Sequence, residues 1–194
     1  MKITVPELSL ILLIGPSGSG KSTFAREHFK PTEILSSDVC RGLVSDDEND
    51  QTVTPVAFEL LHFICAKRLA AGKLTVVDAT NVQPEARKSL VAIAREYHYF
   101  PVAIIFNLPE KLCQERNRGR SDRDFGPHVI RKQAQLMRGC LRDLKREGFR
   151  YIYNLESPEE VGAAVISRQP LWNDLRGEHG PFDIIGDVHG CFEE

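Results

Sequence analysis

The residues best suited to chemistry lie near the start of the chain, in a glycine-rich segment. It reads Gly15-Pro16-Ser17-Gly18-Ser19-Gly20-Lys21-Ser22 and continues with Thr23, which fits the phosphate-binding pattern G-x-x-x-x-G-K-[ST]. Glycines let the backbone curl closely around a polyanion, so that successive N–H groups point inward at the start of a helix. In this pattern Lys21 serves the β- and γ-phosphates and the Ser22 hydroxyl ligates Mg²⁺. The segment predicts binding of ATP or another NTP together with Mg²⁺.

Asp38 and Arg41 form a second candidate pair, within the segment D-V-C-R that follows a short predicted strand. A carboxylate at this point is suited to accept a proton from an attacking hydroxyl. Arg41, one helical turn later, is suited to hold an anionic group of the acceptor. The alternative is that Asp38, like Ser36 and Ser37, only caps a helix. Because capping leaves Arg41 without a role, we favour the catalytic interpretation.

A third candidate is Asp78, which ends an apolar strand and is followed by Ala79-Thr80-Asn81. An acidic residue at the end of a strand fits a Walker-B-like position that organises Mg²⁺, here indirectly through Ser22 or water. Asn81 is close enough to help position the acceptor. The alternative is that these four residues only form a turn that starts a helix.

Further along, a polar connector with Gly119 and Gly126 near its ends is rich in arginine. A planar, permanently charged guanidinium matches the charge spread over a transferring γ-phosphoryl group. We therefore predict a lid over the triphosphate, with Arg123 the favoured contact, then Arg116 and then Arg120; a solvated surface is the alternative for each. The four arginines of the connector are Arg116, Arg118, Arg120 and Arg123.

A further basic set is expected on one face of the helix that follows this connector. Spacings of seven, four and three place its members together, away from the apolar stripe. A solvated face is favoured over contact with nucleic acid. The set consists of Arg131, Arg138, Arg142 and Lys145.

The predicted elements that position these residues alternate between strand and helix. Apolar runs predict strands over residues 8–14, 33–37, 74–78, 102–106 and 150–154, and helical spacing predicts helices over 22–29, 54–72, 84–98, from 109, 127–148 and 157–169. Such alternation predicts an α/β fold of the P-loop NTPase kind, with a five-stranded parallel sheet and helices on both faces. Ligands bind at the carboxyl ends of such strands, where Gly15, Asp38 and Asp78 all lie.

Bulk composition limits the remaining possibilities. The 194 residues carry a formal net charge of −2, so contact with nucleic acid must come from a local basic patch. Five scattered cysteines without a C-x-x-C pair predict reduced thiols. Pro6 and Glu7 stand where a signal peptide needs an apolar core, and no apolar run approaches a membrane span. We therefore expect a soluble, cytoplasmic protein with no membrane partner.

Taken in order, four features resemble the kinase domain of bacterial polynucleotide kinase-phosphatase, an enzyme of a bacterial RNA repair system. They are G-P-S-G-S-G-K-S-T, S-S-D-V-C-R-G, V-V-D-A-T-N and the arginine-rich connector, all within residues 1–170. The resemblance implies a P-loop kinase domain that transfers the γ-phosphoryl of ATP or another NTP to the 5′-hydroxyl end of RNA or DNA. It also implies that Asp38 is the general base, that Arg41 holds the acceptor phosphate, and that Arg123 contacts the γ-phosphate.

The tail resembles a different domain of the same family. Residues 171–181 look like a linker, and residues 182–194 contain G-D-x-H-G, similar to the first metal motif of binuclear metallophosphoesterases. The resemblance makes Asp187 and His189 metal ligands of a site that here is incomplete and idle, because the chain stops four residues after the motif. By the same resemblance we expect phosphatase and ligase-like domains as partners in a longer chain.

Two other functions are compatible with the same motifs. One is a P-loop kinase that phosphorylates a small metabolite or a nucleoside. The other is a nucleotide-dependent switch that hydrolyses slowly. Against the switch, the sequence has no N-K-x-D-type motif for reading the base, and the connector supplies its own arginines.

Overall fold

The computed structural model of the chain describes residues 1–119, 126–174, 177 and 179–181. Arg120 and Arg123 of the predicted lid, and Asp187 and His189 of the tail motif, lie outside these residues. The elements are β1 (Lys2–Pro6), β2 (Ser9–Ile14), α1 (Lys21–His28), β3 (Ile34–Ser36), α2 (Ser37–Ser45), α3 (Thr54–Ala70), β4 (Thr75–Asp78), α4 (Pro84–Glu96), β5 (Phe100–Phe106), α5 (Glu110–Arg118), α6 (Pro127–Cys140), α7 (Leu144–Glu147), β6 (Tyr151–Leu155), α8 (Pro158–Gly162) and β7 (Val165–Gln169).

The main sheet has five strands in the order β3-β4-β2-β5-β6, and every neighbouring pair is parallel. β2 is central and buried along its whole length, as a strand covered on both faces must be. Leu10, Leu12 and Ile14 face one apolar cluster, whereas Ile11 and Leu13 face another. Because neighbouring side chains of a strand point to opposite faces, the two clusters are the two layers between sheet and helices. The predicted α/β architecture is confirmed.

A second, two-stranded sheet was not predicted. β1 and β7 pair in parallel, with Ile3 opposite Ile166, and Ile3 and Val5 are fully buried. The prediction of one helix over 157–169 was therefore wrong. α8 ends at Gly162, and the residues after Ala164 form β7, whose β-branched Val165 and Ile166 favour a strand.

The prediction of one long helix over 127–148 was also wrong. α6 ends at Cys140, a turn follows, and α7 is a single turn of helix that ends before Gly148. The apolar stripe continues across the break, since Ile130, Met137 and Leu144 are all buried. Periodicity alone did not reveal the turn, because both helices pack on the same core.

The four cysteines that the structure describes are buried, free thiols. Burial raises the pKa of the Cys65 thiol to about 12. Within the described ranges, no helix has the length and apolar character needed to cross a membrane.

Candidate active site

The predicted site residues meet at the carboxyl edge of the main sheet. The strand register pairs Leu13 of β2 with Asp78, and Ser36 of β3 with the same Asp78. The chain segments that leave β2, β3 and β4 therefore start side by side. Together they line a cavity of about 470 Å³, a volume within the ordinary range for ligand sites. Lys21, Ser22, Asp38, Arg41, Asp78 and Arg116 all lie on its wall.

The glycine loop, residues 15–22, is held tightly by its surroundings. Gly18 has a φ of +79°, and a Cβ there would come within 2.2 Å of the Cys113 carbonyl oxygen on α5. A Cβ on Gly15 would meet Ser19 Oγ at 2.9 Å and Phe106 Cβ at 3.0 Å. Only glycine satisfies the left-handed φ and the close approach together. The loop is thus wedged between β5 and α5.

Lys21 is folded over this loop. Its Nζ donates to the carbonyl oxygens of Gly15 and Pro16, each at 2.8 Å, and lies 3.4 Å from Ser19 Oγ. The side chain is buried at the base of the cavity. An ammonium group at this place is next to where the loop would hold phosphates.

Asp38 and Arg41 form an ion pair on the first turns of α2. Arg41 is only 6% exposed, and its Nε donates to the Glu48 carbonyl oxygen at 2.8 Å. The helix cap is supplied by Ser36, whose Oγ accepts from the N–H groups of Asp38 at 3.3 Å and Val39 at 3.4 Å. The Asp38 carboxylate is therefore not the cap of this helix. It lies on the cavity wall, where it accepts from the Arg41 guanidinium.

Asp78 and Ser22 fit the requirements of Mg²⁺. Asp78 is 7% exposed and ends β4 beside β2, and Ser22 is in the first turn of α1. Mg²⁺ prefers oxygen ligands and is commonly held by one or two carboxylates together with waters and substrate phosphates. A carboxylate and a hydroxyl on one cavity wall are therefore compatible with the ion.

Asn81 lines the cavity and is held there by hydrogen bonds within the protein. It is 2% exposed with a φ of +50°, and its Nδ2 donates to the Leu13 carbonyl oxygen at 2.8 Å. The fully buried Arg87 donates from Nη1 to the Asn81 carbonyl oxygen at 2.8 Å and pairs with Glu147 of α7. Asn81, which we expected to help position an acceptor, is thus bonded through its amide nitrogen to the β2 backbone.

Two of the four arginines grouped with the connector lie on the helix that was expected from residue 109. Arg116 and Arg118 belong to the last turn of α5, because the helix continues to the residue before Gly119. Arg116 lines the cavity, and its Nη1 lies 3.6 Å from where a Cβ on Gly20 would be.

The predicted basic helix face is interrupted. Arg131 and Arg138 lie on α6, but Arg142 and Lys145 follow its end. All four residues are exposed, and Arg131 Nε lies 3.4 Å from Glu110 Oε1. The set therefore does not form one continuous helix face.

Sequence reasoning missed several cavity residues. Gln51, Thr54 and Phe58, which lie in or just before α3, line the cavity, and so do Val129 and Gln133 of α6. None belongs to a recognisable motif. The only sequence signal was Thr54-Pro55, which marked the start of α3 without indicating that the helix borders a cavity.

The fold and the site together define the class of this protein. A parallel sheet with helices on both faces, and a glycine loop between its central strand and the next helix, make up the fold of P-loop kinases. A family model described as an AAA domain matches residues 10–144, which is well over half of the chain. The chain belongs to this AAA domain family.

Individual relatives are distant. The chain is 26% identical over 191 residues to the transcription factor bHLH140 of Arabidopsis thaliana, and the match covers 95% of this chain and 19% of that protein. The chain thus spans about a fifth of the length of this curated relative.

Two solved structures share the fold. A chain of the Pnkp1/Rnl/Hen1 RNA repair complex matches with a TM-score of 0.62 at 20% identity, over 72% of this chain and 46% of that chain. The Mycobacterium tuberculosis APS kinase, solved with AMPPNP and APS, matches with a TM-score of 0.51 at 16% identity, over 81% of this chain and 95% of that chain. At these identities the similarity establishes a common fold.

Proposed function

We propose that the chain is a polynucleotide 5′-hydroxyl kinase, which transfers the γ-phosphoryl of ATP or another NTP to the 5′-hydroxyl end of RNA or DNA. One observation carries the proposal most directly. The Asp38–Arg41 pair and the glycine loop line the same cavity. A carboxylate and a buried guanidinium in the same cavity as a phosphate-binding loop suit an acceptor that has both a hydroxyl and a phosphate.

The glycine loop binds the triphosphate in this scheme. Its N–H groups and the amino end of α1 hold the phosphates, and Lys21 leaves the carbonyl oxygens of Gly15 and Pro16 to contact the β- and γ-phosphates. Arg116 supplies a cation from α5 on the same wall. The predicted contacts of Arg120 and Arg123 belong to the proposal on sequence grounds.

The Asp38–Arg41 pair binds and activates the acceptor. Arg41 binds the phosphate next to the terminal nucleoside, and Asp38 accepts the proton of the 5′-hydroxyl as the oxygen attacks the γ-phosphorus in line. The bond to the β–γ bridging oxygen then breaks, and the nucleoside diphosphate leaves. The main contribution of the protein is to hold the two reactants in this geometry.

Mg²⁺ would be held by Ser22 together with the phosphates, and Asp78 would organise it indirectly, through Ser22 or water. When bound, it neutralises charge on the β- and γ-phosphate oxygens. Asp78 is fixed for this role by the ladder of β4, and Ser22 by the first turn of α1.

The test is transfer of radiolabel from [γ-³²P]ATP. The protein is incubated with Mg²⁺ and with 5′-hydroxyl RNA or 5′-hydroxyl DNA of the same sequence, and 5′-phosphorylated oligonucleotides serve as controls. Label that appears only on the 5′-hydroxyl oligonucleotides supports the proposal. Label that moves only to a nucleoside or a small metabolite identifies the other kind of kinase. Release of free phosphate that does not depend on any acceptor indicates the switch.

Parallel reactions with RNA and DNA compare the two oligonucleotides as acceptors. The same assay, run with a bare nucleoside, tests the role of Arg41. Since Arg41 is proposed to read a phosphate, the transfer should need a nucleotide with a 3′-phosphate or a longer strand. A bare nucleoside should be a poor acceptor. Equal transfer to a nucleoside and to an oligonucleotide would contradict the role of Arg41.

A further inference from the structure

A contact between α6 and the glycine loop is not part of the scheme above. Gln133 Oε1 accepts a hydrogen bond from the Ser17 N–H at 2.8 Å, although the two residues are 116 positions apart. Gln133 is partly buried and lines the cavity. A side-chain amide of α6 thus occupies a backbone donor of the loop that is proposed to bind phosphate.

The same peptide group is held from its other side. The Pro16 carbonyl oxygen, in the peptide group that carries the Ser17 N–H, accepts from Lys21 Nζ at 2.8 Å. The carbonyl and the N–H of a trans peptide point in opposite directions. The Pro16–Ser17 peptide group is therefore fixed between Lys21 and Gln133.

This peptide group lies near the end of the loop that is farther from α1. Lys21 serves the β- and γ-phosphates in loops of this pattern, and its Nζ rests on Gly15 and Pro16, the first residues of the loop. The opposite end of the loop leads into α1, where the first-turn N–H groups hold the inner phosphates. A γ-phosphate would therefore approach the Ser17 N–H, whereas a diphosphate would end short of it.

One N–H cannot serve both partners fully. A phosphate oxygen is an anionic acceptor and makes a stronger hydrogen bond than the neutral amide oxygen of Gln133. The amide oxygen and the phosphate oxygens would also repel each other at this short range. A triphosphate must therefore displace Gln133, and a diphosphate need not.

We infer that Gln133 is a specificity-determining residue that sets the ratio of triphosphate to diphosphate affinity, by competing with the γ-phosphate for the Ser17 N–H. The inference rests on the proposed function, because it requires the glycine loop to bind nucleotides. Through the same contact, α6 is attached to the loop when the γ-phosphate is absent and is released when it is present.

The experiment compares the dissociation constants of AMPPNP and ADP by calorimetry for the 194-residue chain and four variants. Gln133→Ala removes the competing acceptor, so the preference for AMPPNP over ADP should increase by about 2- to 12-fold, the range expected for one hydrogen bond. Gln133→Glu places an anion against the γ-phosphate and should decrease that preference by about 10-fold or more. Thermal unfolding of each variant checks that the fold is retained.

Gln135 offers a matched control on the same helix. It is exposed and does not line the cavity, so Gln135→Ala and Gln135→Glu should leave the preference within about 2-fold of the unmodified chain. A second readout is the amide proton resonance of Ser17. Without nucleotide, this resonance should lie at a different position in Gln133→Ala than in the unmodified chain. The difference between the two proteins should remain when ADP is bound and should disappear when AMPPNP is bound.

Three results would overturn the inference. Equal changes in AMPPNP and ADP affinity in the Gln133 variants would assign a structural role to this residue. Unchanged affinities for both nucleotides in both variants would show that the γ-phosphate does not use the Ser17 N–H. Failure of the unmodified chain to bind either nucleotide would overturn the proposed function as well, so the two failures are distinguishable.

Discussion

The two sides of the cavity are built from different parts of the polypeptide. The proposed phosphate side consists of the glycine loop, Lys21 and Ser22, and it presents mainly backbone groups. The proposed acceptor side consists of Asp38, Arg41 and the neighbouring residues of α3, and it presents side chains, of which Arg41 bonds to the Asp38 carboxylate and to the Glu48 carbonyl oxygen. The phosphate side therefore depends on backbone conformation, and the acceptor side depends on side-chain pairing.

This difference determines how each side responds to substitution. A backbone site needs particular residues only where φ or close packing demands them, as at Gly18. A side-chain site fails when one functional group is lost, and the rest of the fold is left intact. Variants of the two sides should thus separate nucleotide affinity from acceptor use.

The largest expected effect is that of Asp38→Ala on the acceptor side. Removal of a general base typically lowers a rate by about 10² to 10⁴-fold, and we expect kcat for transfer to the 5′-hydroxyl to decrease within that range. Affinity for ATP should remain unchanged, because the glycine loop does not contact this side chain in the proposed scheme. Rapid-quench transfer assays and calorimetry measure the two quantities.

Glu59→Gln on the exposed face of α3 is the matched control, and it should affect neither quantity. If Asp38→Ala weakens ATP binding as strongly as it slows transfer, Asp38 has a structural role. Nucleotide affinity and acceptor use would then not be separable at Asp38, the residue with the largest expected effect.

The strand and helix around the glycine loop could be predicted from the sequence because their requirements are local. The glycines, Lys21 and Ser22 occupy consecutive positions, and the buried β2 precedes them. Asp38 and Asp78 could be placed at the same edge because parallel strands end together. The prediction therefore needed only the order of strands and helices.

The rest of the cavity could not be predicted because it depends on tertiary contacts. Gln133 meets Ser17 across 116 positions, and no periodicity encodes which face of α6 approaches the loop. β7 was predicted as helix because its partner β1 lies at the other end of the chain. Phe58 was recognisable as part of α3, but not as a cavity residue.

The next effect is expected from Gly18→Ala on the phosphate side. The left-handed φ alone costs about 1–2 kcal/mol for a residue with a Cβ, and the clash with the Cys113 carbonyl oxygen adds to it. We expect ATP affinity to decrease by about 10-fold or more and the unfolding temperature to decrease as well. Calorimetry and thermal denaturation test this.

Gly139→Ala is the control for the same chemical change. Gly139 lies within α6, and a Cβ there meets no atom within 4 Å. This variant should be more stable than the unmodified chain by about 0.5–1 kcal/mol, with unchanged ATP affinity. Tolerance of Gly18→Ala with normal binding would contradict the tight packing of the loop on α5.

An effect of comparable size is expected from Arg41→Lys, which retains the charge but removes the fork. Lysine cannot pair with Asp38 and also donate to the Glu48 carbonyl oxygen as Arg41 does. A hydrogen bond to a charged group contributes about 1.5–3 kcal/mol, so kcat/KM for the oligonucleotide should decrease by about 10- to 100-fold. KM for ATP should not change.

Arg138→Lys on the exposed part of α6 should have no effect and controls for the substitution itself. Steady-state kinetics with each substrate varied in turn give both constants. A rise of KM for ATP in Arg41→Lys would place this residue on the phosphate side.

The smallest expected effect concerns His62 of α3, whose ring lies 6.0 Å from that of Phe58 on the acceptor side. Burial lowers the pKa of His62 below the ordinary 6.5. The folded state therefore binds a proton on His62 less readily than the unfolded state does. The neutral ring makes its full contribution to the free energy of unfolding above pH 6.5, and this contribution is lost as pH falls through the lowered pKa.

The free energy of unfolding should thus decrease below pH 6.5, and His62→Gln should reduce this slope, whatever its effect on stability at neutral pH. His128→Gln, at an exposed site on α6, should keep the original slope. In the proposed scheme α3 belongs to the acceptor side, so KM for the oligonucleotide should increase on acidification before ATP affinity changes. If ATP affinity weakens first, the two sides are not independent, since α3 would then be coupled to the glycine loop.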